Sequence, residues 1–429
     1  MEFVRWFLLL VLSLMLVYGS SFAVDVGSLL KAQADKAGSP FFPVVMQVLQ
    51  VLTWALHMLF VYTSIGGLFV SIYGYSKGGE NWTRLAKATL ELAKVSVSLA
   101  IVLGVAPLLF YQVIYDPLWY TSANLSAAWY IMFIVFLLIG YYMIWASYFM
   151  KDNPKRALVF SLLGVVFLLM VGFIIHVVNY QALYPEKWVE WYTSGGTTMN
   201  TSGWNIYAFN LFRYLAFLVF PAVSVTGVLL MLYNWYFYPR EDMDKAYLDW
   251  AGSVGSKLAL YGGLGWLSSH TLYILSVPSE WGVKTNPITW LSVLGLLICA
   301  GVILVAQKNP AKFSIPSVLS SFLAILLVAV FREYLRMASV GRFGYSIYEY
   351  KLNLEWYSPL LFLGTTLTGL ILYSYAWWMA YRAGRTQRGK VYEANETEHH
   401  LGDAAVFVVI LWAIVWIGVG LIVIVRNYG

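Results

Sequence analysis

Apolar runs long enough to cross a bilayer follow one another along this chain, separated by short polar breaks that carry most of its charge. A crossing helix takes about 20 mostly apolar residues. After residue 42 the crossings read as Pro43–Tyr73, Val95–Tyr115, Ser126–Tyr148, Ala157–Val178, Tyr207–Tyr238, Leu258–Ser276, Ile288–Val305, Val318–Phe331, Pro359–Tyr381 and Ala404–Val425. The eighth is short and has room to begin nearer Phe313. The expected fold class is therefore all-α, a polytopic membrane bundle of about ten transmembrane helices. Ahead of the first span, Arg5 precedes the apolar run from Phe7 to Val17, and Ser21-Phe22-Ala23 offers the small residues a signal peptidase reads. Cleavage there predicts a signal peptide over 1–23, an extracytoplasmic lead-in over 24–42 and one transmembrane helical domain over 43–429.

Charge orients the bundle. With the mature N-terminus outside, the cytoplasmic loops and span edges hold the basic groups Lys77, Arg84, Lys87 and Lys94, then Lys151, Lys155 and Arg156, and later Arg382, Arg385, Arg388 and Lys390. Outer segments hold fewer, which fits the positive-inside rule with both ends outside. Composition agrees: 60% hydrophobic, 11% charged and 18% aromatic, the last being the excess that interfacial belts produce. The net charge of +6 is scattered among loops rather than gathered on one face, which argues against nucleic acid as a partner. The expected setting is the cytoplasmic membrane of a bacterium or archaeon, with lipid as the first partner.

The chemistry the chain excludes is as informative. One cysteine, Cys299, rules out an intrachain disulfide, a CxxCH haem attachment and a cysteine-ligated iron–sulfur cluster. There is no GxxxxGK[ST] or HExxH pattern. No pair of interrupted helices in matching halves suggests a carrier.

Three of the five histidines fall inside spans: His57 in the first, His176 in the fourth and His270 in the sixth. Axial ligation of a b-type haem takes imidazoles from different helices at similar depth. The bland alternative for each is a ring that donates to a carbonyl of a facing helix. His399 and His400 sit in the polar stretch YEANETEHHLGD on the cytoplasmic side and read as solvated. Arg213 lies inside the fifth span, while Arg332 and Arg336 close the eighth at i, i+4 spacing with Glu333 between them in FREYLR. Haem propionates or a quinone head group would suit these guanidiniums, which stay charged and match carboxylate geometry; interfacial snorkelling is the bland reading. Gly104 and Pro107 interrupt the second span and imply close packing or a kink. Gln112 and Asp116 follow near the outer surface, where Asp116-Pro117 ends the helix. Either Gln112 or Asp116 could also accept a quinol proton.

These residues resemble the haem-bearing large subunit of cytochrome bd-type quinol oxidases. LHMLFV holds His57 where that family carries a haem-ligand histidine in a YHFLFV-like context, on a first helix of the same orientation. LAIVLGVAPLLFYQVIYDPLW is similar to the family's ALGV-type stretch and QFGTNW-like segment, VNYQALYPEKW to its NGWMQNP-like segment, and Glu333-Tyr334-Leu335-Arg336 to its EYGR. The resemblance covers the first half of the chain best. It implies haem b on His57 and quinone as substrate, and His270 or His176 is the candidate for the opposite iron ligand.

Departures from the family narrow the expectation. The third span, AAWYIMFIVFLLIGYYMIW, has none of the glutamates of the family's oxygen-reducing site, and RYLAFLVFPAVSVTG has no histidine. VPSEWGVKTNP stands where the family has a long external quinol loop, and a tenth helix is added. The leading expectation is an electron-transfer subunit that oxidises quinol and passes electrons outward, to a c-type cytochrome or another respiratory-complex subunit. The alternatives are a cofactor-free scaffold subunit of a respiratory complex and a transporter using His57 and Arg213.

Overall fold

The computed structural model describes residues 25–193, 198–199 and 208–428. The signal peptide expected over 1–23 and part of the connection between the fourth and fifth spans lie outside the described residues. Among the described residues there are twelve α-helices: α1 Val26–Gln33, α2 Pro43–Lys77, α3 Glu80–Ile114, α4 Asp116–Phe149, α5 Pro154–Gln181, α6 Trp188–Thr193, α7 Leu211–Phe237, α8 Lys245–Ser276, α9 Pro287–Ala306, α10 Ser314–Gly341, α11 Tyr357–Gly384 and α12 Glu396–Tyr428. Among the described residues there is no strand, only an isolated bridge between Ser39 and Leu352.

Nine of these helices are long and apolar enough to cross a membrane. The remaining expected span, Leu258–Ser276, lies within α8, which is 32 residues long but too rich in Gly and Ser to match the others in hydropathy. The reason is packing. Gly227 of α7 and Gly255 and Gly262 of α8 let the two backbones touch: a Cβ on Gly227 would lie 2.3 Å from the Ala259 nitrogen, and one on Gly262 2.5 Å from the Ser224 nitrogen. Small residues at such spacing are how membrane helices approach closely.

Helix boundaries follow local chemistry. Proline begins α2, α5 and α9, where its missing N–H costs nothing. The side chains of Asn153, Asn210, Asp244 and Asn286 accept from first-turn amides of α5, α7, α8 and α9. The α2–α3 turn is made by Gly78 and Gly79, both at positive φ (70° and 83°). Several helices run past the sequence-derived spans by three turns or more, as α3 does by starting at Glu80 rather than Val95. Charged and polar first turns hide such extensions from a hydropathy reading. Asp116 opens α4, and the chain breaks at Ala127 (φ 42°, ψ −119°), so that only the part beyond the break corresponds to the third span expected from Ser126.

Two faces are tied off separately. On one, Ser39 N–H donates to the Lys351 carbonyl (2.8 Å), Asn353 N–H to that of Ser39 (2.9 Å), and Asp116 accepts from Asp35 N–H (2.7 Å) and the Tyr350 hydroxyl. On the other, Lys87–Asp152, Lys151–Glu91 and Arg240–Asp242 pair at 2.6 Å each. The second face carries the basic clusters that the positive-inside rule assigns to the cytoplasmic side in the orientation expected from the sequence, and the first is the outer face in that orientation.

Candidate functional site

A cavity of about 390 Å³ lies among α2, α3, α4, α5, α7 and α10, within the size range of ligand pockets. Most of its wall is hydrocarbon and aromatic. Its polar groups are His57, Ser64, Tyr111, Trp119, His176, Asn179, Arg213, Tyr214 and Arg332.

His57 Nδ1 lies 2.8 Å from the Ala100 carbonyl. A carbonyl only accepts, so Nδ1 carries the proton and Nε2 keeps a free lone pair at the cavity wall. This is the bland bond to a facing helix, and it is also the bond by which a metal-ligating histidine is commonly oriented. Gly104 lies flat against the ring: a Cβ there would be 2.8 Å from Cε1 and 2.9 Å from Nδ1. Gly66 and Gly67, one or more turns further along α2, serve helix contacts instead, against Ala222 and Thr226 of α7 and Thr89 of α3.

Two guanidiniums close the outer end. Arg332 stacks over Trp54 (4.8 Å to the ring centre) and donates from Nη2 to Asn179 Oδ1 at 3.0 Å. Asn179 is held in turn by its bond to the Ile175 carbonyl (2.9 Å). Arg213 is 5% exposed and donates from Nη1 towards His176 Nδ1 (3.0 Å) and the His176 carbonyl (3.2 Å), while its Nε has no hydrogen-bond partner. Arg213 is presented just before a π-helical segment, Leu215–Val219, the kind of irregularity that recurs at functional sites. No ion pair forms at Arg213 or Arg332 among the described residues, whereas Arg336 is paired with Glu333 at 2.6 Å. Glu333 also accepts from Tyr115 (2.5 Å) and Gln47 (2.9 Å).

The expected site residues thus fall into two groups. His57, His176, Arg213 and Arg332 line one cavity; His270, Arg336, Gln112 and Asp116 do not. The His176 ring faces a donor at each nitrogen, Arg213 on Nδ1 and the Asn210 N–H on Nε2 at 3.3 Å. A neutral imidazole has one bare nitrogen, so one of these two donors meets a ring N–H. His270 is fully buried, with its ring beside Phe217 and Phe331. Ser292 spends its proton on the Thr289 carbonyl (2.6 Å), so His270 Nε2 is the donor across the 2.8 Å contact to Ser292, and His270 Nδ1 is left buried without a partner. Asp116 is an anchor of the outer face. Gln112 is half-buried near the end of α3. His399 and His400 are exposed on the first turns of α12.

Trp54 and Tyr111 belong to the site and were not singled out in the sequence. Trp54 is one turn from His57 on the same helix face, a spacing that could have marked it. Tyr111 had no such signal, because its place under the Arg336 guanidinium (4.0 Å to the ring centre) depends on how α3 meets α10.

The solved structure titled as the bd oxidase from Geobacillus thermodenitrificans is similar to this chain over 91% of its length and 100% of that chain, with a TM-score of 0.53 and 12% identity. The two share a fold. No protein-family model and no curated protein matches the chain. The class this defines is an integral membrane helix bundle with a bd oxidase-like fold.

Proposed function

We propose that this chain is a b-haem-bearing electron-transfer subunit that oxidises quinol and passes electrons to an extracytoplasmic c-type cytochrome or another respiratory-complex subunit, in a bacterial or archaeal cytoplasmic membrane. One observation carries the reading: a single cavity brings together an imidazole with a free Nε2 and two guanidiniums that have no acid. Buried cations in a membrane protein call for counter-charge. A b-type haem offers a metal for Nε2 and two carboxylates for Arg213 and Arg332. Trp54, over which Arg332 stacks, is one helical turn (about 5 Å) outward of His57, so iron ligand and propionate partners succeed one another along α2.

The residues fit the group. His57 would hold the iron, oriented by Ala100 and given flat clearance by Gly104. Arg213 and Arg332 would hold the propionates, the second fixed by Asn179. Bound there, the haem would supply a one-electron carrier whose potential the surrounding charge tunes. Gln112, whose side chain makes no hydrogen bond among the described residues, could accept a hydrogen bond from a quinol hydroxyl, and Asp116, engaged by Asp35 and Tyr350, is the carboxylate able to take a proton.

A cofactor-free scaffold is the second reading, and its specific support is that no carboxylate lines the cavity. A dithionite-reduced minus air-oxidised spectrum, with a pyridine haemochrome assay, separates the two on protein purified from its native membrane. The expected outcome is a b-type signal that His57→Ala removes while the helical circular dichroism persists. Absence of haem from the native protein would sink the haem reading and leave the scaffold.

A further inference from the structure

The cytoplasmic end of α11 carries a second group without a counter-charge. Arg385 projects between α11 and the end of α7, with its guanidinium carbon 4.7 Å from the Tyr381 ring centre, 5.4 Å from that of Trp235 and 5.6 Å from that of Tyr236. Its Nε is buried with no hydrogen-bond partner, and no ion pair forms at Arg385 among the described residues. The neighbouring cations are accounted for differently. Arg240 pairs with Asp242 and reaches the Gly384 carbonyl at 3.0 Å, and Arg382 pairs with Glu398 at 3.4 Å. Arg240 and Arg382 each lie over one ring, Phe237 and Trp378, whereas Arg385 lies among three and has no anion among the described residues.

Above it the seam is open. The contacts of α11 with the bundle sit at its two ends: Tyr236 to the Tyr381 carbonyl (2.7 Å) and Arg240 to Gly384 on the cytoplasmic side, and Phe362 against Phe110 (5.2 Å) near the outer side. Between them no described residue of α11 is buried. A helix held at both ends with no buried residue between them leaves apolar surface along its length, and in a bilayer hydrocarbon covers such surface.

We infer that this seam is the seat of one anionic phospholipid, its phosphate on Arg385 and its acyl chains along the apolar surface of α11. The aromatic rings lie against the guanidinium, which raises its value as a fork for two phosphate oxygens. Basic pockets between membrane helices on the cytoplasmic side are where such head groups bind. Charge complementarity commits the surface to a lipid rather than to a further helix. The lipid would hold the α11–α12 hairpin against the bundle.

Full-length protein, stripped of lipid in detergent, would be titrated with phosphatidylglycerol or phosphatidylcholine and followed by thermal unfolding and native mass spectrometry. The expected result is one retained phosphatidylglycerol per chain and a rise in Tm that phosphatidylcholine and inorganic phosphate do not reproduce. Arg385→Gln should weaken that binding roughly ten-fold or more, as loss of a charge-assisted contact does. Arg385→Lys should fall between, and Arg388→Gln, which alters an exposed neighbour, should bind like the parent. Equal stabilisation by both lipids, unchanged binding in Arg385→Gln, or a co-purifying polypeptide in place of the lipid would overturn the inference.

Discussion

The α7–α8 seam and the cavity beside it share Phe217 as a wall, yet glycine and histidine act oppositely in the two. In the seam, Gly227 and Gly262 bring backbone onto backbone, and His270 is sealed away with one nitrogen on Ser292. At the cavity, Gly104 faces a side chain instead of a backbone, and the space it leaves keeps the His57 ring flat with Nε2 free. The same two residue types therefore close one region and open the other. What differs is whether the partner across the glycine is able to move.

The largest effect should come from the closed region. Gly227→Leu would drive a side chain into the Ala259 nitrogen and the Gly255 carbonyl, 2.3 and 2.5 Å from the added Cβ, and neither atom can step aside. The bundle should lose at least about 3 kcal/mol, the upper part of the usual overpacking range. The measurement is the midpoint of thermal unfolding in detergent, with the yield of monodisperse protein beside it. A midpoint unchanged from the parent would mean that the two helices are not in backbone contact.

Gly104→Ala tests the open region and should cost the fold less, about 1–2 kcal/mol, because the displaced atoms belong to a ring that can swing. Its functional effect should be larger than its structural one. A swung ring loses the Ala100 bond, and the orientation of Nε2 with it. Haem content should fall by roughly ten-fold at little change in Tm, as outer-shell losses at metal sites commonly do. A parallel loss of haem and of stability would instead make Gly104 one more packing glycine.

Much of this contrast was visible in the sequence, and its limits have physical causes. The spans and the order of the helices could be read because they depend on runs of about 20 residues. His57, Arg213 and Arg332 stood out because ionisable groups are rare inside spans. What sequence does not carry is the identity of the atom across an interface. Gly66, Gly67 and Gly104 look alike along the chain, and only the packing shows that two of them meet helices while the third meets an imidazole. His57, His176 and His270 look equivalent too, and they separate only through what the Ala100 carbonyl, Arg213 and Ser292 do to their nitrogens.

The smallest expected effect belongs to His270→Leu, and it bears most directly on which histidines hold iron. Leucine is apolar and only slightly larger than histidine, and it removes a buried Nδ1 that has no partner. Ser292 keeps its bond to the Thr289 carbonyl and loses one incoming N–H. These changes largely offset, so the variant should stay within about 1.5 kcal/mol of the parent, the range of volume-conserving core swaps. Its b-type spectrum should match the parent's, because Phe217 and Phe331 stand against the ring and His270 is absent from the cavity wall. A lost or shifted haem band in a stably folded His270→Leu protein would reassign the iron to the closed region. Gly104 would then be clearance for a helix-packing histidine, and Arg213 and Arg332 would need a different dianion.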